Sequence, residues 1–196
     1  MLKEFIASLN DASISQARKE ELSELIGYVQ SKKDANKEVN LNFICTHNSR
    51  RSQLAQVWAQ LAADTYGISA NCFSGGVEVT AFYKSAIKAL KNAGLQITKE
   101  DGDNPLVNVK VAEGKELTCF SKVYDDKVNP TTEFSAVMTC DHADQNCPFI
   151  PGTEKRISLP YKDPKEFDGT PVQQDKYDER SKQIATEMFY VFKNVK

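Results

Sequence analysis

Val39-Asn40-Leu41-Asn42-Phe43-Ile44-Cys45-Thr46-His47-Asn48-Ser49-Arg50-Arg51-Ser52-Gln53-Leu54 is the stretch that decides the fold. Val39, Leu41 and Phe43 alternate and Ile44 carries the apolar run into Cys45, which is a strand. Leu54, Trp58, Leu61 and Ala62 then recur at helical spacing. A short polar loop lies between. Such a loop aims its amides at one point, and the helix dipole adds about half a positive charge there. This is a cradle for a tetrahedral oxyanion. The same field stabilises the thiolate of a cysteine at its entrance. Arg51, with five residues between it and Cys45, can close on the anion with a planar pair of donors. Ser52 can donate its hydroxyl to the sulfur, and Asn48 tolerates the left-handed backbone that a tight loop needs. The competing account is a buried cysteine near a surface arginine. The strand-to-helix setting and the following serine favour the cradle.

Outward from this stretch the rhythm continues. Ile68, Ala70 and Cys72 alternate up to Ser74-Gly75-Gly76, and Ala86, Ile87, Leu90 and Ala93 form a helix stopped by Gly94. Strand, helix, strand, helix predicts an α/β fold with a mainly parallel four-stranded sheet flanked by helices. Ala136-Val137-Met138-Thr139 leads into Cys140, Ile157 and Leu159 form another strand, and Tyr177, Ile184, Met188, Val191 and Phe192 mark a last helix. Leu106 to Phe120 alternates around Glu113-Gly114-Lys115, predicting a β-hairpin inserted at about 105–128, with Cys119 as a small hydrophobe. Residues 1–38 read as an N-terminal helical extension, docked through Leu22, Leu25, Ile26 and Val29 and capped at Ser13 with Gln16. Lys32 to Lys37 reads as a solvated linker. The domain proper is expected over 39–196.

The 196 residues hold 25 Lys and Arg against 27 Asp and Glu, a net charge of -2. That balance gives no electrostatic case for nucleic acid. No apolar run approaches the ~18 residues of a membrane span. Met1-Leu2-Lys3-Glu4-Phe5 mixes charges and has no signal-peptide core, so a cytoplasmic location is expected. Five cysteines, Cys45, Cys72, Cys119, Cys140 and Cys147, are an odd number, which argues against a disulfide framework.

Cys140 ends a strand and Cys147 follows after Asp141-His142-Ala143-Asp144-Gln145-Asn146. On a helix two such cysteines lie ~10 Å apart, and a disulfide needs Cα atoms within ~7 Å. Joining them requires unwinding, which these weak helix formers permit. A redox switch, an inert core cysteine and a metal ligand assisted by His142 are all open on spacing alone, although the spacing is wrong for paired zinc ligands. Asp163-Pro164 is by itself a turn. A carboxyl placed over the cradle could also protonate a departing oxygen.

Cys45-Thr46-His47-Asn48-Ser49-Arg50-Arg51-Ser52-Gln53 resembles the anion loop of the low-molecular-weight protein tyrosine phosphatase superfamily. The Cys-Thr-x-Asn-Ser-x-Arg-Ser-Gln form is similar to that of its thioredoxin-coupled arsenate reductase branch. The resemblance continues through Ser74-Gly75, the 86–94 helix and residues from about 135 onward. It leaves out residues 1–38 and 105–128, and His47 departs from the family's usual small residue. It implies that Thr46, His47, Asn48, Ser49, Arg50 and Arg51 bind the oxyanion, that Cys45 is the nucleophile, and that Asp163 is the general acid. It further implies that Cys140 and Cys147 form a disulfide relay emptied by a thioredoxin-like protein, with no tightly bound cofactor and no catalytic metal. Some reductases of the branch hold potassium behind the loop by an Asn, a Glu and a Ser. Asn48 and Ser74 match, but Gln56 stands at the Glu position. The implied function is arsenate reduction. The alternative is hydrolysis of a phosphomonoester through a phosphocysteine, and a non-catalytic oxyanion-binding module ranks last. Tyrosine phosphatases of the superfamily commonly carry aromatic residues just after the Asp-Pro pair to clasp a phenyl ring, and Lys165-Glu166-Phe167 in that place speaks against a phosphotyrosine substrate.

Overall fold

A computed structural model describes residues 1–146 and 149–196. The chain runs through α1 (Leu2–Ala7), α2 (Gln16–Asp34), β1 (Val39–Cys45), α3 (Arg51–Thr65), β2 (Ala70–Gly76), α4 (Lys84–Asn92), β3 (Gln96–Lys99), β4 (Val107–Ala112) and β5 (Lys115–Cys119). It continues through β6 (Phe134–Met138), α5 (Asp141–Asn146), β7 (Thr153–Ser158) and α6 (Gln173–Lys193). Four strands form a wholly parallel sheet in the order β2-β1-β6-β7. β1 is central because every second residue is apolar and both faces are covered, as parallel sheets require. Val39, Leu41 and Phe43 pack into the large core with α2, α3, α4 and α6, while Ile44 and Cys45 join a smaller cluster with Phe134, Ala136, Met138, Cys140 and Ala143. The α/β sheet is as expected from the alternation.

Two expectations need correction in the extension. The cap of α2 is Ser15, whose side chain accepts from the Arg18 N–H; Ser13 lies in a short 3-10 turn at Asp11–Ser13 and donates to the Asn10 carbonyl instead. Lys32 is not in a solvated linker. It lies in α2, 6% exposed, with its ammonium on Glu154. The hairpin is also more than a hairpin. β4 and β5 pair around the turn as expected, but β3 adds an antiparallel edge, so a separate three-stranded sheet forms in the order β3-β4-β5. From Phe120 the chain leaves that sheet and runs back along the parallel one, where Val123 bridges Gly76.

Two glycines are demanded by this return. A Cβ on Gly75 would stand 2.3 Å from the Tyr124 Cα, and one on Gly76 would stand 2.7 Å from the Asn48 nitrogen. The anion loop and the returning strand therefore close over β2 only because neither residue has a side chain. Gly94 sits at φ +99° just past α4, the left-handed stop expected there.

Candidate active site

β1 delivers Cys45 to the carboxyl edge of the sheet, where ligands of open α/β sheets bind. α3 begins at Arg51, and no side chain caps it. The first N–H groups of the helix therefore stay directed at the loop. The bend is made by Asn48 at φ +45°, the left-handed residue expected on sequence grounds. Cys45 is 3% exposed, and its sulfur lies 3.0 Å from the Ser52 hydroxyl, which in turn accepts from the Asn48 amide at 2.8 Å. Asn48 Oδ1 accepts from the Lys122 N–H at 3.0 Å and from Gln53 Nε2 at 3.2 Å.

The guanidinium of Arg51 donates to the Tyr161 carbonyl at 3.0 Å and to Asp163 Oδ2 at 2.6 Å. Asp163 also caps the 3-10 turn at Pro164–Phe167 by accepting from the Lys165 N–H at 3.0 Å. The predicted anion clamp and the predicted acid thus meet directly. Thr46 places its hydroxyl 3.5 Å from the Cys140 sulfur. Its carbonyl accepts from Val77 and Glu78 N–H, both at 2.8 Å. Ser49 donates to the Ala81 carbonyl at 2.7 Å. The His47 ring lies 3.3 Å from Glu78.

Arg50 is placed otherwise than as an anion ligand. Its guanidinium donates to the Tyr177 hydroxyl at 2.6 Å and to Asp168 at 3.0 Å, and lies 4.1 Å from the centre of the Tyr83 ring. Its side chain fastens the loop to α6, which leaves its backbone for the cradle. No local pattern marks this role, because both hydrogen-bond partners lie over a hundred residues away.

Cys140 is 2% exposed in the same small cluster as Cys45, and its sulfur accepts from the Ala143 N–H at 3.3 Å. Cys147 lies outside the described residues. Cys72 and Cys119 are buried in the large core, where loss of water pushes both thiols up, Cys119 to about 12. They are kept out of thiolate chemistry. Lys122 is 3% exposed, and burial holds its ammonium below the ordinary lysine value. That ammonium touches the Phe120 carbonyl at 3.5 Å and the Phe120 ring face.

The potassium set does not fit. Ser74 donates to Gln56 Oε1 at 2.6 Å, Gln56 Nε2 donates to the Cys72 carbonyl, and Asn48 Oδ1 already takes two donors. These side chains satisfy one another, and an amide stands where the anionic ligand would be. Among the described residues no group of three or more His, Cys, Asp or Glu could hold a metal ion, and no helix is long and apolar enough to cross a membrane.

No family model matches the chain. Solved structures share the fold. A mutant of YwlE from Bacillus subtilis aligns with a TM-score of 0.54 at 16% identity, covering 79% of this chain and 97% of that one. A low molecular weight protein tyrosine phosphatase from T. tengcongensis aligns at 0.52 and 14%, covering 76% and 95%. A parallel sheet with a cysteine loop opening onto a helix N-terminus is the fold this chain shares with that low molecular weight protein tyrosine phosphatase. Among curated proteins, an arsenate reductase of Staphylococcus aureus strain Newman is 32% identical over 123 residues, 62% of this chain and 76% of the relative. One of Bacillus cereus is 29% identical over 146 residues, 73% and 91%. The chain belongs to the arsenate reductase family.

Proposed function

We propose that this enzyme reduces arsenate through a thiol relay in which Cys45 is the nucleophile. The observation that carries the reading is the meeting of two cysteines at one edge of the sheet. Cys140 shares a buried cluster with Cys45 and touches the loop through Thr46. A hydrolytic cycle does not need that second sulfur.

Arsenate enters between the loop amides and Arg51, displacing Asp163 from the guanidinium. The Cys45 thiolate attacks arsenic, and a hydroxyl leaves as water with a proton from Asp163. Cys140 then attacks the Cys45 sulfur. The electron pair of the sulfur–arsenic bond stays on arsenic, which departs as arsenite, and a Cys45–Cys140 disulfide remains. Cys147 attacks the Cys140 sulfur, releasing the Cys45 thiolate and leaving Cys140–Cys147. A dithiol protein of the thioredoxin type takes the two electrons' worth of oxidation and restores both thiols. Ser52, positioned by Asn48, can donate to the Cys45 thiolate at the start and end of each cycle.

Phosphomonoester hydrolysis is the alternative, since the solved structures of this fold include phosphatases and the same cradle would serve it. Steady-state turnover with thioredoxin, thioredoxin reductase and NADPH, run beside hydrolysis of an aryl phosphate, separates the two. Cys147→Ser is expected to stop multiple turnover of arsenate while leaving a single turnover. Arsenate that is never reduced by the wild type, with aryl phosphate hydrolysed in both proteins, overturns the proposal.

A further inference from the structure

We infer that residues 120–122, where the chain leaves the antiparallel sheet, are positioning residues that set the direction of the hydrogen bond onto the Cys45 sulfur. The inference deepens the oxyanion-site reading and rests on it. Each of these three residues makes a bond to the cradle. The Phe120 carbonyl accepts from Gln53 Nε2 at 2.8 Å, the Ser121 hydroxyl donates to the His47 carbonyl at 2.8 Å, and the Lys122 N–H donates to Asn48 Oδ1 at 3.0 Å.

The last of these decides a polarity. A backbone N–H can only donate. The Asn48 side chain must therefore turn its oxygen to Lys122 and its NH2 to Ser52, where it donates at 2.8 Å. The Ser52 oxygen has one hydrogen. Having accepted from Asn48, it keeps that hydrogen free for the Cys45 sulfur, 3.0 Å away. The sulfur can then act as the acceptor in this bond. With Asn48 flipped, Ser52 would donate to the amide oxygen, and the sulfur would have to supply the hydrogen of its own bond. Asn48 and Ser52 are 0% exposed and Ser121 is 1% exposed, so water cannot compete for these bonds.

The register of 120–122 is held from both sides. Asn104, in the connection between β3 and β4, accepts from the Ser121 N–H at 3.0 Å and donates to the Ser121 carbonyl at 2.7 Å. The Ser121 hydroxyl also accepts from the Thr80 N–H at 2.9 Å. The antiparallel sheet thus brings a backbone donor to a fixed place behind the anion loop.

The test uses the full chain with Asn104→Ala, Ser121→Ala and, as a control, Thr118→Ala. The Thr118 hydroxyl bonds to Asn108, on the exposed side of the same sheet. The rate of Cys45 alkylation by iodoacetamide is read at pH 6 and pH 9, with and without inorganic phosphate. In Asn104→Ala and Ser121→Ala the ratio of the pH 6 rate to the pH 9 rate is expected to fall about tenfold, and phosphate protection to weaken by a similar factor. Asn104→Asp, which keeps the acceptor for the Ser121 N–H, recovers part of both. Thr118→Ala matches the wild type. Ratios and protection within twofold of the wild type in both alanine variants overturn the inference. An equal fall in Thr118→Ala also overturns it, as does a loss of folding in both alanine variants without one in Thr118→Ala. Neither readout needs arsenate turnover. A wild type that binds phosphate at Cys45 yet never reduces arsenate sinks the reductase proposal and leaves this inference standing.

Discussion

Arg51 and Asp163 stand 2.6 Å apart, and an entering oxyanion must compete with that carboxylate for the same guanidinium. Asp163→Asn removes the competing charge along with the proposed acid. Inorganic phosphate should then protect Cys45 from alkylation at several-fold lower concentration, while arsenate turnover falls by about 10²–10⁴, the usual contribution of a placed acid. Weaker phosphate protection in the variant would show that Asp163 helps to build the cradle rather than competing within it. At this scale the side chains of the anion loop were legible, because Cys45, Asn48, Arg51 and Ser52 are neighbours in the chain and their spacing carries the geometry. The Tyr161 carbonyl and the Lys122 N–H were not. Backbone groups belong to every residue type, so nothing in the lettering marks the ones that matter.

Among the elements, α2 is anchored by a charged contact to β7. Lys32, 7% exposed at its side chain, bonds Glu154, 36% exposed, and Tyr28 donates to the same carboxylate at 2.8 Å. The Lys32 ammonium, aided by the Tyr28 hydroxyl, holds the Glu154 carboxyl below its ordinary 4.5 despite some loss of water. A depressed folded value means that the contact contributes fully above the unfolded value near 4.5 and is lost as pH falls through the folded one. Glu154→Gln should therefore lose about 1 kcal/mol at pH 7, discounted for the carboxylate's exposure. Its stability should then decline less steeply than the wild type's below about pH 4.5. Urea unfolding across pH 3–7 checks both. Elements with a buried stripe were readable: β1, α3, α4 and α6 all show one. β3 was missed for a physical reason. Gln96-Ile97-Thr98-Lys99 is an edge strand with three exposed positions and one partly buried one, and so carries no alternation to detect.

For the whole molecule, the extension at 1–38 and the strands share one core. Leu22, Leu25 and Val29 of α2 are 0% exposed and cluster with Phe43, Trp58 and Phe192, while Phe5 of α1 stacks on Trp58 with ring centres 5.2 Å apart. Leu25→Ala should cost about 2–5 kcal/mol and lower the midpoint of one cooperative transition. A separate early transition for the extension would refute this unity. Fold class was legible because parallel strands on alternating helices leave a periodic trace. The joining of the antiparallel sheet to the anion loop left none, being made by hydrogen bonds between distant segments. β1 and β6 run side by side in the same direction, with Ile44 opposite Met138, so Cys45 and Cys140 leave the sheet together. Side chains on a strand alternate faces with every step. In that register Cys45 is level with Thr139, the residue after Met138, and Cys140 stands one step further on, past the end of β6. The partnership of the two sulfurs therefore rests on the bend that follows β6, and altering the length of that bend would part them.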